Sequence, residues 1–103
     1  MQQKVKDFNN NMPCHNKPMP VAARILDISS ELGELSKEFL KASKYGTTDF
    51  VLTEDFELEF GDVLYSLLSL ANETGVDSEK ALNKILAKYK SRIDKKGSIG
   101  SEN

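Results

Sequence analysis

Two pairs of carboxylates constrain this chain more than any other feature. Glu31-Leu-Gly-Glu34 and Glu59-Phe-Gly-Asp62 each place two acids three residues apart, inside runs whose apolar residues recur at spacings of three and four. That period is helical, and positions i and i+3 share one helix face about a turn apart. A chain that forms both helices and packs one on the other can bring four acids toward one place. Carboxylates bordering apolar stripes are partly desolvated and repel one another, by about 4 kcal/mol for a close pair at an effective dielectric near 20. Some then take up protons, or a cation gathers them. An all-oxygen, anionic donor set suits a hard divalent ion such as Mg²⁺, with Mn²⁺ as a substitute. On spacing alone, solvated acidic helix faces remain equally open.

Gly33 and Gly61 occupy the same place within the two pairs. A glycine inside a helix costs about 1 kcal/mol relative to alanine. Its repeated presence lets two helices approach closely, either to converge ligands or simply to pack.

Three long helices are expected. The first runs from Val21 to about Lys44, on the recurrence of Ile25, Ile28, Leu32, Leu35 and Phe39. Pro20 suits its first turn and Gly46 its stop, while Asp27, Glu31, Glu34 and Glu38 form a stripe one position before the apolar one. The second spans about Glu54 to Thr74, with Thr53 as N-cap and Gly75 just past its end. In its second half the apolar residues cover more than one face, which calls for burial on several sides. In a chain of 103 residues that extra cover points to another subunit, so a helical homo-oligomer is expected. The third, capped by Asp77, runs to about Lys95 with Leu82, Ile85, Leu86, Tyr89 and Ile93 facing inward and a basic ribbon of Lys80, Lys84, Lys88 and Arg92.

The expected fold class is thus all-α, a bundle of three main helices plus a short N-terminal helix or arm, completed by oligomerisation. Residues 1–20 read as the arm, 21–96 as the helical domain and 97–103 as a small, polar, disordered tail. Within the arm, Pro13, Pro18 and Pro20 break any continuous helix, leaving a helical turn around Val5 and Phe8. Phe8, His15 and Asn16 are candidates to hold a base or sugar; the plainer alternative packs Val5 and Phe8 on the domain with His15 exposed.

Charge and composition exclude several classes. A net charge of −2 argues against a nucleic-acid binder that relies on a strong positive field. The lone Cys14 allows no intrachain disulfide. Neither the N-terminal residues nor the apolar stretch from Val63 to Asn72 is a signal peptide or a membrane span, so a soluble cytoplasmic protein with no membrane partner is expected. One histidine rules out the paired Glu-x-x-His motifs of ferritin-like di-iron bundles. The chain has neither a Gly-x-Ser-x-Gly elbow nor a Gly-rich phosphate loop.

The acidic pairs, separated by 24 residues and followed by Val63-Leu-Tyr-Ser-Leu-Leu-Ser-Leu-Ala-Asn72, resemble the signature of the MazG-like all-α nucleoside triphosphate pyrophosphohydrolases. The similarity runs from about Ala22 to Lys96 and includes Lys88 and Arg92, which stand about where that family keeps phosphate-contacting basic residues. The resemblance implies a dimeric or tetrameric bundle, with Mg²⁺ held by Glu31, Glu34, Glu59 and Asp62. It also implies cleavage of a nucleoside triphosphate between the α- and β-phosphates, as in housecleaning of non-standard nucleotides. Glu34 or Glu38 would orient the attacking water, and Lys88 and Arg92 would stabilise charge on the leaving pyrophosphate. The chain lacks the tryptophan that some members place against the base. Two other outcomes stay open: a non-catalytic helical oligomer of this fold, and a phosphoribosyl-nucleotide pyrophosphohydrolase.

Overall fold

A computed structural model of the chain describes residues 1–12 and 19–96, together with the backbone but not the side chain of Lys96. Cys14, His15, Asn16 and the 97–103 tail lie outside the described residues. Four helices, with no strand among the described residues, make up the secondary structure: α1 (Gln2–Asn10), α2 (Val21–Ala42), α3 (Glu54–Thr74) and α4 (Ser78–Lys96). The all-α expectation holds, and the N-terminal turn extends to a helix of two and a half turns.

Local chemistry sets the helix ends. Pro20 precedes α2, and its carbonyl accepts from Arg24 N at 2.9 Å. The side chain of Thr53 accepts from Phe56 N at 3.1 Å and opens α3, whose first turn carries Glu54, Asp55 and Glu57 beside the positive end of the helix dipole. Gly75, at φ +80°, closes α3 in the left-handed conformation that glycine adopts without penalty. Asp77 Oδ1 then accepts from Lys80 N at 3.0 Å and starts α4. α2 ends earlier than its period suggests, because Lys44, Tyr45 and Gly46 all take positive φ. Ser43, 1% exposed, holds this turn by donating to Phe39 O and accepting from Gly46 N.

α2 packs along α3, and α1 against α3. Cross-contacts run from Arg24 with Glu73, through Asp27 with Ser66, to the stacked rings of Phe39 and Phe50, which meet Phe56 edge-on. Position numbers rise along α2 as they fall along α3, so the two helices are antiparallel. α1 is stitched down at both ends. Asn9 donates to Ser69 Oγ and accepts from the Tyr65 hydroxyl, while Gln2 donates to Val76 O and accepts from Ser78 N and Oγ. The N-terminal helix therefore secures the α3–α4 turn.

Two sequence expectations change. The covered face of α2 joins Arg24, Asp27, Glu31 and Glu38 to the half-buried Ile28 and Leu35, whereas Ile25, Leu32 and Phe39 remain 49%, 52% and 44% exposed. The apolar stripe was expected to be the core face; the Arg24–Glu73 ion pair and the Ser66–Asp27 hydrogen bond bring the bordering polar stripe into the seam beside it. The second change is α4, which makes no packing comparable to that of α2 on α3. Leu82, Leu86 and Ile93 are accordingly 54%, 52% and 49% exposed rather than turned inward on their own chain, while Ile85 and Tyr89 are half-buried. The shape records this: the radius of gyration is 17.1 Å, against about 13 Å for a compact domain of this length.

Candidate metal centre

Midway along the α2–α3 seam the carboxylates meet. One oxygen from each of Glu31, Glu59 and Asp62 lies within 4.8 Å of the others. Glu31 comes from the third turn of α2, and Glu59 and Asp62 from one face of α3, so the two motifs converge because their helices are antiparallel neighbours. The glycines beside them leave open space: a Cβ on Gly33 or Gly61 would meet nothing within 4 Å. Among the described residues their small size is not used for packing.

The electrostatics are one-sided. Partial burial, followed by the charges of Asp62, Asp27, Glu59 and Glu34, raises Glu31 above its ordinary carboxylate value. Partial burial, followed by Asp62, Glu34 and Glu38 and a hydrogen bond with Asp62, raises Glu59 likewise. Among the described residues no lysine or arginine forms an ion pair with Glu31, Glu59 or Asp62. Octahedral ligands about 2.1 Å from a Mg²⁺ ion stand roughly 3 to 4 Å apart, a spacing this group meets with small side-chain adjustments. The donor set therefore fits a hard divalent cation.

The neighbouring acids are arranged differently. Glu34 lies outside the group of three and pairs with Lys37 at 3.3 Å. Glu38, only 16% exposed, pairs with Lys41 at 3.1 Å, a contact that raises the lysine. Both nevertheless lie close enough to act electrostatically on Glu59. Lys88 and Arg92 sit on α4, where the Arg92 guanidinium lies 5.9 Å from the centre of the Tyr89 ring. α4 makes no packing on the seam comparable with that of α2 on α3.

Below the carboxylates, the seam carries residues that spacing alone does not single out. Arg24, 8% exposed, donates from Nε and Nη2 to the two carboxylate oxygens of Glu73 at 3.3 and 3.0 Å. Its Nη1 lies 3.7 Å from Asp27, and Ser66 Oγ donates to Asp27 Oδ2 at 3.0 Å. The available signal was polarity out of place: a lone arginine entering the apolar period of α2, and two serines inside the most apolar run of α3.

Residues 22–96 match the family described as the MazG nucleotide pyrophosphohydrolase domain. An uncharacterized protein, YpjD of Bacillus subtilis (strain 168), is 36% identical over 78 residues, covering 73% of this chain and 66% of that protein. The chain thus spans just under two thirds of that relative's length. No solved structure matches. Among the described residues no helix is long and apolar enough to cross a membrane.

Proposed function

The chain belongs to the MazG nucleotide pyrophosphohydrolase family, and from that premise we propose that it hydrolyses a nucleoside triphosphate between the α- and β-phosphates. Water enters and a nucleoside monophosphate and pyrophosphate leave. The observation that carries this reading is the meeting of Glu31, Glu59 and Asp62 without a lysine or arginine paired to them among the described residues. These three would hold Mg²⁺, with Mn²⁺ as a substitute, and Glu34 would join them by releasing Lys37. When bound, the cation supplies neutralising charge to the phosphate oxygens and acidifies a bound water. Glu34 or Glu38, at the edge of the group, would orient the attacking water by accepting its proton. Lys88 and Arg92 would hold the β- and γ-phosphates and stabilise the charge that develops as pyrophosphate leaves.

A partner copy belongs to this proposal. The chain exposes 7966 Å², whereas a compact protein of its mass exposes about 5,800 Å². Leu64, the exposed Leu67, Leu68 and Leu82 of α4 line one groove of about 810 Å³, and Leu86 and Ile93 further along α4 are exposed as well. A second copy suits that surface, because the basic ribbon of α4 complements the acidic start of α3. A homodimer or homotetramer in a cytoplasmic setting is the resulting picture, with housecleaning of non-standard nucleotides as its role.

The test is a panel of canonical and modified nucleoside triphosphates incubated with Mg²⁺, with the products identified. Monophosphate plus pyrophosphate is expected. Diphosphate plus phosphate would contradict the bond assignment, and absence of turnover across the panel would favour a non-catalytic oligomer. Arg92→Ala should lower kcat about 100-fold, as loss of one charge-stabilising donor does elsewhere; unchanged turnover would remove Arg92 from the site.

A further inference from the structure

One helical turn below the carboxylates, the seam holds a contact with no evident place in the hydrolysis. Ser66 is 3% exposed, and its hydroxyl donates to Asp27 Oδ2 at 3.0 Å. A buried serine is a poor choice for helix stability alone, since alanine has the higher helix propensity and brings no hydroxyl to satisfy. Its position supplies the missing reason. Asp27 stands four residues before Glu31 on α2, and Ser66 four residues after Asp62 on α3. Residues four apart share a helix face, about 6 Å along the axis. The Asp27–Ser66 contact and the Glu31–Asp62 approach are therefore consecutive crossings of the same antiparallel pair.

We propose that Ser66 and Asp27 are positioning residues, a hydrogen-bonded crossing that fixes the α2–α3 register at which Glu31, Glu59 and Asp62 converge. A slip of one residue would move one helix about 1.5 Å along the other and turn its face by about 100°. Repulsion among the three acids gives the metal-free seam no reason to hold the converged register by itself. The crossing below supplies it. Asp27 is steadied in turn by Arg24 Nη1 at 3.7 Å, and Arg24 is fixed by its two-pronged contact with Glu73. The site thus rests on a chain of polar contacts extending two further turns toward the α3 C-terminus.

This inference rests on the metal-site reading above, and its test separates the two. Ser69 is an internal control: it is fully buried and hydrogen-bonded, but its partner is Asn9 on α1 rather than a residue of α2. Mn²⁺ binding, followed by loss of the free-ion paramagnetic resonance signal, is measured on the full chain in wild type, Ser66→Ala, Ser66→Thr and Ser69→Ala. All four are kept at a temperature where circular dichroism shows them folded. Ser66→Ala should weaken Mn²⁺ binding about 10- to 100-fold, the range seen when a group supporting a metal ligand is lost. Ser66→Thr, which keeps the hydroxyl, should recover most of it, and Ser69→Ala should bind as wild type. Equal binding by wild type and Ser66→Ala, or an equal loss in Ser69→Ala, would overturn the positioning role while leaving the metal site standing. No Mn²⁺ binding by wild type would overturn the metal site and the positioning role together.

Discussion

The α2–α3 seam contains two clusters of ionisable groups that share helices and differ in balance. At one end Arg24 meets Glu73 and Asp27, and opposite charges satisfy one another in a largely buried setting. Two turns away Glu31, Glu59 and Asp62 gather with no opposing cation among the described residues, and Glu31 and Glu59 are raised as a result. The first cluster completes itself, which is what a structural latch requires. The second has no such balance among the described residues, which is what the proposed cation would supply. Within one interface, the proposed functional cluster is thus distinguished from the structural one by its lack of charge balance among the described residues.

The contrast can be broken from either side. Removing the balanced cluster should have the largest effect on folding: Arg24→Ala strands Glu73 and Asp27 and should cost about 3 kcal/mol, read from urea unfolding. A loss below about 1 kcal/mol would mean that the latch is decorative.

The unbalanced cluster should respond to pH in the opposite sense to a favourable ion pair. Glu31 and Glu59 are raised in the folded state, so the fold binds their protons more tightly than the unfolded chain does. Their penalty is absent at pH values below the ordinary carboxylate value of 4.5 and grows as pH rises through and above it. In metal-free protein, the stability difference between the Glu31→Gln, Glu59→Gln double variant and wild type should therefore widen from acid to neutral pH. Thermal melts across that range check it, and a constant difference would show that the carboxylates do not repel.

The smallest expected effect lies outside both clusters. Thr53→Ala removes the hydroxyl that caps α3 and should cost about 1 kcal/mol without altering the Mg²⁺ response, since the cap sits a turn and a half before Glu59. A lost Mg²⁺ response in this variant would tie the site to the helix end rather than to the seam.

How much of this was legible beforehand depended on the range of the forces involved. Thr53, Gly75 and Asp77 act on residues a few positions away, so the helix ends could be read from the sequence. The acidic pairs could be read because their spacing matches the helix. The seam could not: Arg24 meets a partner 49 residues away and Ser66 one 39 residues away, and no periodicity announces such contacts. Because they draw the polar stripe of α2 inward, the covered face of α2 includes Arg24 and Asp27 beside the Ile28 and Leu35 that the apolar period assigned to it. For α4 the period correctly indicated a face in need of cover, but whether that cover lies on the same chain is a matter of turn geometry.

The most direct test of the central claim is a Mg²⁺ titration followed by melting temperature, at constant ionic strength and neutral pH, on wild type and Glu59→Gln. Wild type should gain stability with Mg²⁺, because the ion binds the folded form. Glu59→Gln should start more stable than metal-free wild type, having lost one of three repelling charges, and should gain little. A wild type indifferent to Mg²⁺, or a Glu59→Gln protein that responds as strongly as wild type, would contradict the account.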